Sequence, residues 1–343
     1  ELVNLREIYV AECNNLRKIC NLSRAINLES LDCSDCISLV ELGNEGDRTL
    51  EFLRFLNLSG CPIEEVSLPS HPLCNLLHLN MSGSAVKNVS IKSESLAELN
   101  LNGCPKVEVL SELPPDLEVL SVNDCTSLEK STKNIEANAM LKIGSLAKKW
   151  AATYGWKYFC DKFKNLICCF PGNKISANKF KYRSLNSSLS LKISKNRGSG
   201  SRFLAFAICL VANLAHRYDV VLRYICEYQL TAAGGGNGGG GCENFRSEIS
   251  QYRFHEPNKY MGYHVFILSS IDMVIEDKNY EEASFKFYIR GGEEYIKVER
   301  CGVHVIYVDA ESDTDATERR HAGNKRSFSH DGEEGDGGLK RLK

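Results

Sequence analysis

The sequence predicts an α/β solenoid followed by an all-β sandwich, and three observations predict it. A short apolar frame recurs six times in residues 1–130, six runs of β-forming residues occupy the second half, and a lysine-rich stretch separates the two. A chain of 343 residues is long enough for about two domains. Its hydrophobic content of 43% is ordinary for a globular protein, so each domain can bury a core.

The first element is the repeated frame L-x-x-L-x-L-x-x-C, with apolar replacements at some leucines and one serine in place of cysteine. Its first position recurs at intervals of 20 to 25 residues. That period and frame are typical of leucine-rich repeats (LRR), so residues 1–130 are predicted to hold about six of them. The six copies are Leu5/Ile8/Val10/Cys13, Leu28/Leu31/Cys33/Cys36, Leu53/Leu56/Leu58/Cys61, Leu76/Leu79/Met81/Ser84, Leu96/Leu99/Leu101/Cys104 and Leu117/Leu120/Val122/Cys125.

The side chains between the core leucines are predicted to project from the concave face of the stacked strands. Most are small and polar, a composition that suits recognition better than catalysis. Tyr9 and Phe55 stand out, because exposed aromatic residues are enriched in binding hot spots. A solvated sheet face explains any single position equally well. The predicted partner-binding residues are Glu7, Tyr9, Asp32, Phe55, Asn57, His78, Asn80, Glu98 and Asn100.

Cysteine usage predicts reduced, buried thiols. The chain has 15 cysteines, and five of them occupy the turn position of the repeat. Cys33 and Cys36 match C-x-x-C, but Cys33 holds a core position of the frame and no second C-x-x-C completes a zinc set. We therefore predict no metal, no cofactor and no catalytic residue, and a reducing intracellular compartment.

The second element is a basic connector over residues 131–168, predicted to be partly helical. Residues 131–200 hold 14 Lys and Arg against 2 Asp and Glu, whereas residues 1–130 hold 10 against 20. Because the last repeat of a solenoid needs a cap, we expect Trp150 and nearby apolar residues to cover the core near Leu128. Basic and aromatic residues together also leave an alternative open, a nuclear factor that binds nucleic acid through residues 131–200.

The third element, residues 169–310, contains six β-like runs separated by breaks rich in glycine and asparagine, which favours a β-sandwich. Its longest apolar run, from Phe203 to Ala212, is shorter than the roughly 18 residues that a membrane span needs, so we expect no membrane association. Residues 234–241 are predicted to form a flexible glycine loop and residues 311–343 a disordered charged tail. The six runs are 189–193, 203–211, 220–225, 264–268, 284–289 and 303–308.

The chain begins within a repeat, without a cap, so we expect it to be the C-terminal part of a longer protein. The repeats, with phrases such as Leu58-Ser59-Gly60-Cys61-Pro62, resemble those of plant TIR-NB-LRR disease-resistance receptors. The segment from Cys169 to Ile175 resembles the opening motif of C-JID, the jelly-roll/Ig-like domain that follows the LRR in those receptors. The resemblance continues through Phe203–Cys209 and Val298–Tyr307.

This resemblance implies a cytoplasmic or nuclear immune sensor that acts in defence signalling. Its LRR and C-JID would bind a pathogen effector or a guarded host protein, and would contact the nucleotide-binding (NB) domain in the full-length receptor. The TIR domain of such receptors cleaves NAD, but no TIR glutamate or phosphate-binding loop is found in this sequence, so this part is not expected to be an enzyme. Ser176-Ala177-Asn178 departs from the family motif.

Overall fold

The computed structural model describes residues 2–19, 22, 25–42, 53–65, 75–89, 95–110, 113–114, 116–125, 127–128, 132–154, 164–195, 200–215, 221–232, 241–250 and 262–309. Residues 234–240 of the glycine run, the tail 311–343 and Trp156 lie outside these ranges. Among the described residues, no helix is both long enough and apolar enough to cross a bilayer.

The frame residues of residues 1–130 form a stack of short parallel strands in unbroken register. Each strand pairs with the strand of the next repeat, so that Leu31 faces Leu56 and Leu79 faces Leu99. The side chains of these leucines are almost fully buried. The strands are β1 (Glu7–Tyr9), β3 (Ser30–Asp32), β5 (Phe55–Asn57), β6 (His78–Asn80), β8 (Glu98–Asn100) and β10 (Val119–Ser121).

The opposite, convex side of the stack carries two further pairs of parallel strands. They are β2 (Lys18–Ile19) with β4 (Glu41–Leu42) and β7 (Asn88–Val89) with β9 (Val109–Leu110). The described parts of residues 1–130 contain no α-helix, so the expected α/β composition is not seen in the repeats. The stack is a solenoid built from strands on both sides.

One helix, α1 (Thr132–Ala152), follows the last repeat. Ile135, Ile143 and Trp150 lie on its buried face and share one apolar core with Leu128. Lys142 is also buried, and its amine donates a hydrogen bond to the carbonyl of Pro114 at 3.0 Å. Lys148 and Lys149 are exposed. The helix therefore continues the solenoid core as the capping prediction expected, but Lys142 does not lie on the surface.

The strands after α1 are mostly long and antiparallel. They are β11 (Asn165–Pro171), β12 (Tyr182–Ser184), β13 (Ser188–Lys192), β14 (Arg202–Asn213), β15 (Leu222–Ala232), β16 (Cys242–Ser250), β17 (Tyr263–Ser270), β18 (Val274–Glu276), β19 (Tyr280–Gly291), β20 (Glu294–Ile296) and β21 (Val298–Asp309). Each predicted run overlaps a strand, and β11, β12, β16, β18 and β20 were not predicted. Residues 165–168 belong to β11, so this strand begins inside the predicted connector.

The solenoid and the second half share one sheet. Strand β11 pairs parallel with β10, placing Cys168 opposite Leu120, and antiparallel with β17 on its other side. The sheet thus runs in the order β1-β3-β5-β6-β8-β10-β11-β17-β14-β21-β12. Because β10, α1 and β11 are consecutive and the two strands are parallel neighbours, α1 is the crossover of a β-α-β unit. The second half joins the solenoid by backbone pairing as well as by side-chain packing.

The two faces of this shared sheet bury different cores. One row of paired residues runs through Leu120, Cys168, Ile267 and Cys209, and it belongs to the core that contains α1. The next row runs through Val119, Ile167, Leu268, Ile208 and Val303, and it belongs to a second core. Val119 lies in the outward column of the solenoid, so the concave face of the solenoid and the inner face of the sandwich are the same face of one sheet.

A second sheet covers this face in the sandwich. It has the order β13-β19-β15-β16, with β20 also paired to β19. Phe206 of β14 contacts Tyr228 of β15 and Phe285 of β19 at ring-centroid distances of 5.6 and 5.1 Å, which fixes how the two sheets overlie.

Candidate functional site

The first column of the concave face is formed by the residue that begins each strand. Phe55 and His78 are neighbours with ring centroids 6.4 Å apart, and Nδ1 of His78 lies 3.0 Å from a carboxylate oxygen of Glu98. Glu7 is exposed, whereas Phe55, His78 and Glu98 are half-buried. Phe55, His78 and Glu98 lie side by side on neighbouring strands, and Ser30 separates Glu7 from Phe55.

Tyr9 is exposed, with 66% of its surface accessible. Its hydroxyl donates a hydrogen bond to the Glu7 carboxylate at 3.1 Å. This hydrogen bond raises the pKa of the Tyr9 hydroxyl, and the negative charge of Glu7 raises it further. The pair presents an aromatic face with an oriented polar tip at the open end of the sheet.

The middle column is formed by the residue that ends each strand, from Tyr9 to Ser121, and its three asparagines do not present their side chains to solvent as predicted. Asn57, Asn80 and Asn100 are buried, so they are not accessible partner-binding residues. Each side-chain oxygen accepts a hydrogen bond from the backbone N–H two residues further on, at 3.0 to 3.1 Å. Asp32 is half-buried and makes the same bond to Ser34 at 2.9 Å. These side chains fix the turn that ends each strand, a local role typical of Asn and Asp.

A fourth column, which the sequence analysis missed, immediately precedes the turn cysteine. All six of its residues have positive φ between 54° and 68°. Their signature is visible in the sequence, since this position holds only glycine or an acidic residue. The column is Glu12, Asp35, Gly60, Gly83, Gly103 and Asp124.

The charges on the concave side have one sign. The three outward columns are the positions of each repeat that correspond to Glu7, Tyr9 and Ala11. In these columns and the positive-φ column, all of which the structure describes, there is no lysine or arginine. The only basic side chain there is His78, already beside Glu98. The concave side is therefore a strip of negative potential. The carboxylates are Glu7, Glu12, Asp32, Asp35, Glu98 and Asp124.

Most of the turn cysteines are accounted for by backbone hydrogen bonds, but Cys13 is exposed, contrary to the expectation that these thiols are buried. The thiols of Cys61, Cys104 and Cys125 donate to carbonyls of the preceding repeat at 3.0 to 3.1 Å. Burial raises the pKa of the Cys33 thiol and raises that of Cys61 to about 12, so both stay protonated at neutral pH. Within the described ranges, no group of His, Cys, Asp and Glu side chains has the arrangement of a metal site.

The second sheet of the sandwich lies over the inner face that continues the concave surface. Comparison with family models shows that residues 170–312 match the C-JID domain. This is the domain that follows the LRR in plant TIR-NB-LRR resistance proteins, as the residue resemblance indicated. The C-JID match spans the strands from β12 to β21 and begins at the last two residues of β11. No curated protein matches the chain.

Proposed function

We propose that this chain is the effector-recognition region of an intracellular plant immune receptor, acting in defence and signal transduction. The observation that carries the proposal is the C-JID match, which begins within β11, the strand that pairs with the solenoid of six L-x-x-L-x-L frames. On this proposal residues 1–130 are leucine-rich repeats and the C-JID domain is a jelly-roll/Ig-like sandwich. Its partner is a pathogen effector or a guarded host protein.

The rest of the proposal follows from the kind of receptor. In the full-length protein this region contacts its own NB domain, and the receptor acts in the cytoplasm, the nucleus or both. The region binds rather than catalyses, since the concave side offers paired aromatic and acidic side chains on a rigid sheet. Partner contact is assigned to the accessible set Glu7, Tyr9, Asp32, Phe55, His78 and Glu98.

The nucleic-acid alternative has weaker support. The concave side bears carboxylates, which repel phosphate, and Lys142 of the basic segment is buried against Pro114. Salt titration separates the two readings. Binding dominated by phosphate contacts falls steeply with salt, whereas a hot-spot interface between proteins weakens much less.

The test is binding of the purified chain to candidate effector proteins, followed by the double variant Tyr9→Ala/Phe55→Ala. We expect the double variant to weaken binding by about tenfold or more, as the loss of hot-spot aromatics does, with an unchanged melting temperature. Leu141→Ala is the matched control, because Leu141 is 75% exposed on α1, on the other side of the sheet. Full affinity of the double variant, or its unfolding, would contradict the concave-face assignment.

A further inference from the structure

Strand β16 lies at the edge of the second sheet that faces the solenoid. The opposite edge strand, β13, lies by β12, because the hydroxyl of Tyr182 donates to the Lys192 carbonyl at 3.0 Å. Tyr224 of β15 contacts Phe266 of β17, with ring centroids 5.1 Å apart. In the order of the second sheet, β16 follows β15, so β16 lies one strand further from β13 and closer to β11 and the solenoid. The outer edge of β16 therefore faces the space above the concave side of the solenoid.

The backbone of β16 has donors and acceptors directed at that outer edge. The amide of Ala232 donates to the carbonyl of Gly241 at 3.0 Å, so these two residues form a hydrogen-bonded pair. In an antiparallel ladder hydrogen-bonded and non-hydrogen-bonded pairs alternate, which fixes the bonding residues along β15 and β16. The register pairs Tyr228 with Phe245, so Phe245 and every second residue from it bond to β15. The N–H and C=O of Asn244, Arg246 and Glu248 point the other way. Among the described residues, no strand pairs with that edge.

The side chains below that edge carry negative charge. Glu98 and Asp124 lie in the two repeats nearest to the C-JID domain, and Asp35, Asp32 and Glu7 continue the strip toward β1. An occupant that lies alongside β16 has one face directed at these carboxylates. Charge complementarity selects lysine and arginine side chains on that face and disfavours acidic segments.

We propose that the outer edge of β16 binds a basic segment of the partner protein in extended conformation, which adds one strand to the second sheet. This inference rests on the proposed function and specifies the part of the partner that is recognised. Main-chain hydrogen bonds to Asn244, Arg246 and Glu248 supply affinity, and alternate side chains supply specificity. Basic side chains of the segment face the concave carboxylates, and the others face solvent beside the exposed side chains of β16.

The first experiment uses labelled peptides of about ten residues, the length of a long strand, with binding to the full chain measured by fluorescence anisotropy. The probes are a peptide of alternating Lys and Thr, one of alternating Glu and Thr, and one of alternating Lys and Pro. The Lys/Thr peptide is expected to bind. The Glu/Thr peptide should not bind, and the Lys/Pro peptide, in which proline removes the N–H of every second residue, should bind about tenfold more weakly. Equal binding of the two lysine peptides would mean attraction by charge alone and would overturn the proposal.

The second experiment changes the edge itself. Asn244→Pro removes an outward N–H without touching the bonds to β15, and proline is tolerated on edge strands. It should weaken Lys/Thr binding about tenfold, whereas the matched control Asn244→Ala should stay within about twofold of wild type. Glu98→Gln with Asp124→Asn tests the charge, since these carboxylates lie in the two repeats nearest to β16 and Asn tolerates the positive φ of residue 124, and it should weaken binding severalfold. Unchanged affinity in both variants, with melting temperatures preserved, would overturn the proposal.

Failure here is distinguishable from failure of the proposed function. An effector that needs Tyr9 and Phe55 but binds wild type and Asn244→Pro equally would exclude the β16 edge and leave recognition by the concave side intact. A mass doubling that Asn244→Pro abolishes would show that a second copy of the chain occupies the edge, and would equally overturn the proposal.

Discussion

At the residue scale, the positive-φ column shows how strictly each repeat is specified. The column holds glycine, which has no Cβ, aspartate, whose short side chain tolerates the left-handed region at some cost, and one glutamate, Glu12. At three consecutive repeats, the N–H of Gly60, Gly83 or Gly103 donates to a carbonyl of the next repeat at 2.7 Å. The frame predicted the buried leucines and cysteines well. It did not predict this column, because a turn conformation leaves no apolar periodicity.

Gly60 and Gly103 allow a test of this column. Gly103→Ala should destabilise the fold by about 1 kcal/mol, because alanine is strained at this positive φ. The added Cβ would meet no atom closer than 3.8 Å, so no collision adds to the strain. Gly60→Ala should cost more, because its Cβ would collide with the Asp35 carboxylate. Chemical denaturation measures both. The difference between the two should vanish in an Asp35→Gly background, and a difference that persists there would contradict the assigned collision.

His264 gives a prediction for pH. It is fully buried in β17, and burial lowers its pKa to about 4 from an ordinary value of about 6.5. The folded state therefore binds fewer protons than the unfolded state in this window. Stability should be complete above about pH 6.5 and should fall by up to about 1.4 kcal/mol per pH unit as the pH drops toward 4. Unfolding free energies of wild type and His264→Gln across this range check it. Parallel curves for the two proteins would show that His264 contributes nothing to the dependence.

At the element scale, the strands found from sequence are those buried on one or both faces. The run from Phe203 to Val211 predicted β14 because every residue from 204 to 212 is buried. By contrast, β16 was missed because Glu, Asn and Arg occupy most of its exposed positions. Only two of its residues, Ser247 and Ile249, are fully buried, so the strand has no clear apolar alternation. Strand β11 was missed because it follows a lysine-rich stretch and ends at Pro171, which the sequence presents as a break.

Helix α1 should be a rigid part of the core rather than a linker. Trp150→Ala is expected to destabilise the fold by about 3–5 kcal/mol, as truncation of a buried aromatic does, because only 3% of Trp150 is accessible. Leu141→Ala on the exposed side of the same helix should change stability by less than about 0.5 kcal/mol. Hydrogen exchange over residues 132–152 gives the second measurement. Exchange at the rate of a free chain would contradict the packing of α1.

At the scale of the whole molecule, the continuity of the sheet could not be predicted from the repeat. The frame stops at Leu128, and the strand that continues the stack, β11, begins only at residue 165. Leu166, Cys168 and Phe170 occupy the core side of β11, but they lie beyond the 20 to 25 residue period and follow a helix. Sequence reasoning therefore predicted two domains with a connector, where the structure has a shared sheet crossed by α1.

Shared pairing predicts shared stability. Leu99 is 2% accessible in β8, and Leu99→Ala should cost about 2–5 kcal/mol. Because β8, β10, β11 and β17 are consecutive strands of one sheet, amide protection in β17 should fall together with that in β8. Native-state hydrogen exchange on wild type and variant measures this. Unchanged protection in β17 would show that the solenoid and the sandwich open independently, and a loss well below 2 kcal/mol would show that the repeat register is wrong.

The pairing of β10 with β11 also has a mechanical consequence. The amide of Ile167 donates to Glu118 at 2.7 Å and the amide of Val122 donates to Cys169 at 3.0 Å, across the junction of the two halves. A pivot at this junction would have to break such bonds and separate α1 from the core that it shares with both halves. A force applied to the concave strands is therefore transmitted to the sandwich as a rigid displacement. The solenoid and the sandwich are therefore expected to move together as one rigid body, without a hinge at the junction of β10 and β11.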